Sequence, residues 1–306
     1  IPGSVYTYTV RAVDSAGNWS RLSKAATVAV PVPVAVPVAV PVAVPAVLTP
    51  SVPPGPTIAP RGADDMPIGD LPGWTQIFAD DFTKNAPLGS FADVYGTKWK
   101  TYSGPDTSGK IYPSKRSSYN TNKVVSVHGG VVDKYLHTEF DANGYNGPGD
   151  YMMSAALLPR IPGQLHGRYS VRLRADAVDG YKIAWLLWPD SGVWPRDGEI
   201  DFAETALVDP LKAFIHRQDA TAGSDQTACR TNPSAYLSQG WHTVTLEWST
   251  TLKIYVDGVL ECSTSDRVPN TSMHLVLQTE TEIFSPKSAD SGHLYIDWVT
   301  VYKPSA

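Results

Sequence analysis

Three carboxylates crowd into the run Gly198-Glu199-Ile200-Asp201-Phe202-Ala203-Glu204. Two facing carboxyl groups of unlike protonation can do paired work: one attacks as an ionised nucleophile while the other gives up a proton. On a regular β-strand alternate side chains share a face, so Glu199 and Asp201 lie together and Glu204 points away. One extra residue bulging out between Asp201 and Glu204 returns all three to one face, with Ile200 turned inward. Glu199 and Glu204 are then about four strand steps apart, roughly 13 Å between Cα atoms. Side chains leaning together on a curved strand bring the carboxyls to the ~5–5.5 Å used when an acetal carbon is displaced twice through a covalent intermediate. A solvated acidic strand face is the plain alternative. Against it, three like charges on one face of a sheet repel and destabilise it unless something uses them.

Flat rings surround the acids: Trp185, Trp188 and Trp194 precede them, in a chain with 9 Trp and 15 Tyr. Aromatic faces stack on the apolar faces of sugar rings, although most such side chains serve as core. The net charge is −5. No basic stripe of the kind that tracks phosphates is present, which excludes nucleic acid as a partner.

The elements that must hold these residues read as short strands. From about residue 69 to 303 the texture is β runs broken by Gly, Pro, Asn and Asp. Residues 241–248 alternate with period two: Val244, Leu246 and Trp248 face one way, Thr243, Thr245 and Glu247 the other. Residues 253–261 form two short strands around Asp257-Gly258, a hairpin signal. Residues 294–302 make a final strand, and no long 3.6-period segment occurs. About 235 residues of short, evenly spaced strands indicate an all-β, two-sheet β-sandwich of the jelly-roll type.

Two other segments come first. Residues 5–13 and 25–30 read as strands around the turn Asp14-Ser15-Ala16-Gly17-Asn18, and this run resembles the end of a fibronectin type III domain. The expected organisation is such a remnant at 1–28, a Pro/Val/Ala-rich linker at 29–68, and a catalytic domain at 69–306. Residues 25–48 carry no charge. A membrane span is nonetheless excluded by Pro31, Pro33, Pro37, Pro41 and Pro45, each costing a helix about 3 kcal/mol. Proline repeats favour an extended spacer instead. The chain begins at Ile1 with no signal peptide, and its start is read as that of a fragment.

The acidic run lies among further features: Trp194-Pro195 before it, then His216, Trp241-His242, Glu247-Trp248, Tyr255-Val256-Asp257-Gly258 and Tyr295-Ile296-Asp297-Trp298. Together, over roughly residues 73–303, these strongly resemble glycoside hydrolase family 16, and the longer, bulged motif resembles its laminarinase branch. The resemblance implies a concanavalin-like jelly roll and a retaining endo-hydrolase acting on a β-1,3-linked glucan. Glu199 would be the nucleophile, Glu204 the acid/base, and Asp201 the residue hydrogen-bonded beside the nucleophile. Trp185, Trp194 and Arg172 would line the non-reducing side of the cleft, and His216 the leaving-group side. Gln278 stands where laminarinases usually carry Asn, which leaves the polymer open. No cofactor is implied for the chemistry. A structural Ca²⁺ is, held by Asp297 with backbone oxygen near Gly130. A mixed-linkage glucan or galactan hydrolase, a transglycosylase, and a non-catalytic carbohydrate-binding jelly roll are the alternatives. A polysaccharide partner, a monomer and a secreted location complete the expectation.

Only two cysteines occur, Cys229 and Cys262. No cysteine-protease signature surrounds either, which leaves a disulfide or two inert thiols. Strands pairing through a turn at 249–252 would return the chain close to its start, making a bridge between them plausible, and a bridge suits an extracellular protein.

Overall fold

The computed structural model describes residues 5–8, 24, 26–29, 65–230, 234–283 and 290–305. The chain divides into two compact units, Ile1–Pro53 and Pro54–Ala306. In the first, β1 (Val5–Tyr8) pairs antiparallel with β2 (Ala26–Ala29), with Tyr6 opposite Val28. These strands fall within the two runs read as a fibronectin remnant. The turn between them and the proline-rich spacer from 30 to 64 lie outside the described residues.

The second unit opens with β3 (Trp74–Asp80), β4 (Trp99–Thr101), β5 (Ser103–Pro105), β6 (Ser117–Asn120) and β7 (Val125–His128). Two long strands follow, β8 (Val131–Asp141) and β9 (Gly149–Pro159). Then come β10 (Gly167–Ala175), β11 (Tyr181–Pro189), β12 (Glu199–Ala206), β13 (Lys212–His216) and β14 (Gln226–Arg230). The last five are β15 (His242–Trp248), β16 (Leu252–Val256), β17 (Val259–Thr264), β18 (Met273–Thr281) and β19 (Gly292–Pro304). Helices among the described residues are single turns of at most five residues, such as Thr107–Ile111.

One sheet runs β14-β13-β12-β11-β18-β9, with β4 and β6 on β9. The facing sheet runs β17-β16-β15-β10-β19, with β3 and β8 sharing the length of β19. The ends of β8 and β9 pair with each other and join the two layers. This is the sandwich that the strand pattern implies, and its core follows the two-residue alternation. Val244, Leu246 and Trp248 of β15 are buried against one another's neighbours Val171 and Leu173 of β10, and Ile183, Leu187, Leu275 and Leu277 belong to the same core. Burying each such side chain contributes about 1.5–3 kcal/mol. Asp257 and Gly258 both take positive φ, 52° and 79°, which is the left-handed pair that a two-residue hairpin needs.

One core position breaks the apolar rule. Lys134 of β8 is fully buried, and its Nζ donates to the carbonyls of Ala155 at 3.1 Å and Leu277 at 2.9 Å and to Thr279 Oγ1 at 3.1 Å. Those acceptors lie on β9 and β18, so one side chain ties the facing sheets together. Burial pulls its pKa down to about 7.

Cys229 and Cys262 form a disulfide with their Cα atoms 5.8 Å apart. It joins β14 to β17, the outermost strands of opposite sheets, and the sequence separation is 33 residues. Closing a loop of that length contributes about 3–4 kcal/mol in the chain-entropy model. The double variant Cys229→Ser/Cys262→Ser is therefore expected to lose about that much in denaturant unfolding, and the parent should show no titratable thiol when unfolded without reductant. Two reactive thiols would contradict the bridge.

Candidate active site

Strand β12 carries the acids, and its register shows how they come together. Glu204 pairs with Ala184, Ala203 with Trp185, and Asp201 with Leu186, so Phe202 is the extra residue of a bulge. Phe202 and Ala203 both enter the core beside Ile200, and Glu204 rejoins the face of Glu199 and Asp201. Gly198 sets the entry to the strand. It has φ +71°, and a Cβ there would lie 2.7 Å from both the His216 carbonyl oxygen and a Pro269 ring carbon. Only glycine fits that approach.

The three carboxylates open into a cavity of about 610 Å³ whose floor is the exposed face of β11, β12, β13 and β18. Lys182, Ala184, Leu186 and Trp188 come from β11, and Val276, Gln278 and Glu280 from β18. Trp194, Tyr102 and the turn residues Thr107, Lys110 and Ile111 form the walls. The Trp188 and Trp194 rings lie nearly parallel, 16° apart, with centroids separated by 6.5 Å.

His216 sits opposite Glu199 on β13. Its Nδ1 lies 2.8 Å from the Gly223 carbonyl, which can only accept, so the proton resides on Nδ1. Nε2 is left as a lone pair 3.5 Å from Asp201 Oδ2 and 3.8 Å from Glu199 Oε2. Burial lowers the pKa of this ring and favours the neutral form. Burial likewise raises Glu199, to about 7, with the charge of Glu204 adding to it, while hydrogen bonds from Trp194 and Asp201 pull the other way. Asp201 rises well above the carboxylate range through burial and then through the charges of Glu199 and Glu204. Asp201 therefore holds a proton that it shares with Glu199, and that bond partly offsets the upward push of burial on Glu199.

Lys182 is the counter-charge, and nothing in the acidic motif announces it. Its Nζ lies 2.8 Å from Glu204 Oε1 and 3.1 Å from Glu280 Oε1, and the Tyr119 hydroxyl lies 3.0 Å from the other oxygen of Glu280. Burial opposes the lysine's charge, but Glu280 and Glu204 outweigh it and hold its pKa above the ordinary value. The ammonium fixes the Glu204 carboxyl over the cleft. Gln278, flanked by Ala184 and Ala156 in register, also faces the cavity, 3.4 Å from the Tyr119 hydroxyl.

Four expected site residues, Trp185, Arg172, Asp297 and Gly130, lie elsewhere. Trp185 is 0% exposed and belongs to the core, because on β11 the set Ile183, Trp185 and Leu187 turns inward while Trp188 takes the cleft. Arg172 is on β10 of the other sheet, facing away from the core between Val171 and Leu173. Its Nη1 donates to Asp297 Oδ2 at 2.7 Å, and its guanidinium lies 4.9 Å over the Trp241 ring. The same contact argues against calcium at Asp297: a buried carboxylate already neutralised by arginine is a poor ligand for a hard cation. Gly130 serves as a positive-φ turn residue ahead of β8.

Two outcomes follow. Trp185→Ala should cost about 3–5 kcal/mol in chemical denaturation, and Trp194→Ala, 41% exposed, under about 1 kcal/mol; equal losses would contradict this placement. For Glu199 the folded pKa, about 7, exceeds its ordinary 4.5, so its protonated form stabilises the fold below pH 4.5 and that contribution fades as pH rises through 7. Glu199→Gln, which cannot ionise, should gain stability over the parent across that window, by up to about 3 kcal/mol. Denaturant midpoints at pH 4, 6 and 8 would show it, and a constant margin would mean the carboxylate is not desolvated.

No family model matches the chain, and no curated protein matches it. Solved structures do. A non-specific endo-β-1,3(4)-glucanase of family GH16, SCLam, is 22% identical with a TM-score of 0.62, covering 78% of this chain and 95% of that one. The laminarinase of Rhodothermus marinus is 21% identical with a TM-score of 0.60, covering 76% and 98%. An endo-β-1,3-glucanase from Pyrococcus furiosus is 17% identical with a TM-score of 0.61, covering 78% and 98%. At these identities the likeness establishes a shared fold, the jelly roll that the strand pattern implies.

Proposed function

We propose that this chain is a retaining endo-glycoside hydrolase of the family 16 kind, acting on a β-1,3-linked glucan. The observation that carries the proposal is the bulged β12, which sets Glu199, Asp201 and Glu204 on one face of an aromatic-walled cleft. A lectin on the same fold has use for the rings but none for three clustered carboxyls. The structurally similar proteins are named as β-1,3 and β-1,3(4) glucanases, which supports a glucan as the polymer.

In the first step the Glu199 carboxylate attacks the anomeric carbon while Glu204, protonated, delivers its proton to the departing glycosidic oxygen. Lys182 holds the Glu204 carboxyl in line, and Glu280 takes the ammonium when Glu204 is neutral. The result is a glycosyl ester on Glu199 and a free alcohol. In the second step Glu204 takes a proton from water, the oxygen attacks the anomeric carbon, and Glu199 leaves as carboxylate with its hydrogen bond from Asp201 restored. Neutral His216 offers its Nε2 lone pair to a substrate hydroxyl at the cleft wall. No cofactor enters this scheme. A monomer in an extracellular setting is part of the reading, and the Cys229–Cys262 bridge supports the location.

Incubation with laminarin, lichenan, galactan and agarose should give oligosaccharides from laminarin, with the first product in the β configuration by proton NMR. Glu199→Gln and Glu204→Gln should each lose about a thousandfold or more in turnover, and azide should partly rescue Glu204→Ala on a substrate with a good leaving group. An α product formed first, or binding without cleavage of any polymer, would overturn the proposal.

A further inference from the structure

Beside the cleft lies a second cavity, about 290 Å³, that the chemistry above leaves unused. It is walled by β5, β6 and the loop after β8, and its polar lining includes Asn120, Thr121, Asn122 and Asn143. Tyr102 lines both cavities, so the two share a wall. The Tyr102 ring is 37% exposed and braced edge-on by Tyr119, with centroids 5.7 Å apart. Its plane is therefore fixed before anything arrives, which lowers the entropy lost on binding.

We infer that this cavity binds one neutral sugar unit of the polysaccharide held in the cleft, as a branch leaving the main chain at Tyr102; the inference rests on the carbohydrate reading of that cleft. The first support is unused hydrogen-bonding capacity. The side-chain amides of Asn120, Asn122 and Asn143 have no partner among the described residues. Thr121 is 7% exposed, yet its Oγ1 is buried without a hydrogen bond. Amides present a donor and an acceptor side by side, and adjacent sugar hydroxyls present the complement.

Charge supports a neutral occupant. Among the lining residues the ionised group is Asp141, and it is already engaged: Oδ1 accepts from the Asn143 backbone N–H and Oδ2 lies 3.7 Å from Lys123 Nζ. An anion would meet no free cation here, and a cation would meet a compensated carboxylate. A pyranose needs neither, only rings and paired hydroxyl partners.

The test is titration calorimetry on the full chain carrying Glu199→Gln, with a linear β-1,3-glucan oligosaccharide and with the same oligosaccharide bearing one glucosyl branch. The branched ligand should bind about tenfold tighter, consistent with two or three added hydrogen bonds. Adding Asn122→Ala and Asn143→Ala, both exposed and outside the cleft, should erase that advantage and leave the linear affinity unchanged. Equal affinities in the parent, or an advantage that survives the double substitution, would overturn the inference. Binding is read without turnover, so a protein that bound the branch but never cut a chain would sink the hydrolase proposal and leave this one standing.

Discussion

A single unpaired residue on β12 decides what the cleft can do. Between Trp185 and Leu186 on the neighbouring strand the register slips by one, and Phe202 takes up the slack. Without the slip, Glu204 would point into a core made of Ile200, Phe202 and their neighbours, where an ionised carboxyl costs several kcal/mol. With it, two consecutive apolar residues, Phe202 and Ala203, fill the sandwich, and the acid gains the open face. Packing and chemistry are thus satisfied by the same irregularity, and neither could be altered alone.

The cleft then has to accommodate more negative groups than it has positive ones. Glu199, Asp201, Glu204 and Glu280 face Lys182, Lys110 at the wall and a neutral imidazole. The excess is resolved by division of labour. Asp201, the most deeply buried of the three carboxylates on β12, keeps a proton and shares it with Glu199. Lys182 stands between Glu204 and Glu280 and pairs with both.

How much of this was legible in the sequence depends on range. Local periodicity was enough for the strands around Val244, Leu246 and Trp248 and for the Asp257-Gly258 hairpin, since each is a relation between near neighbours. A regular alternation turns Glu204 away, and the bulge had to be inferred from the need to gather the three acids on one face. Trp185 was misplaced although the cue was present: Tyr181, Ile183, Trp185 and Leu187 form a wholly apolar alternate set, and Lys182, Ala184, Leu186 and Trp188 do not. Arg172 and Asp297 were not legible in the same way. They are 125 residues apart, and that their strands neighbour each other in the layer away from the cleft is a fact of topology that no spacing encodes. Lys182 meets Glu280 across the β11–β18 pair for a similar reason.

The disulfide has a meaning beyond loop closure. Among the described residues β14 pairs only with β13, and β17 only with β16, so each leaves one row of backbone N–H and C=O groups without a ladder partner. Such margins are where one chain adds itself to another and where aggregates of stacked strands begin. The Cys229–Cys262 bond draws the two margins toward each other at one rim, so that each shields the other from a foreign strand. Besides closing a loop, the bridge thus limits the access of a foreign strand to the two margins it joins.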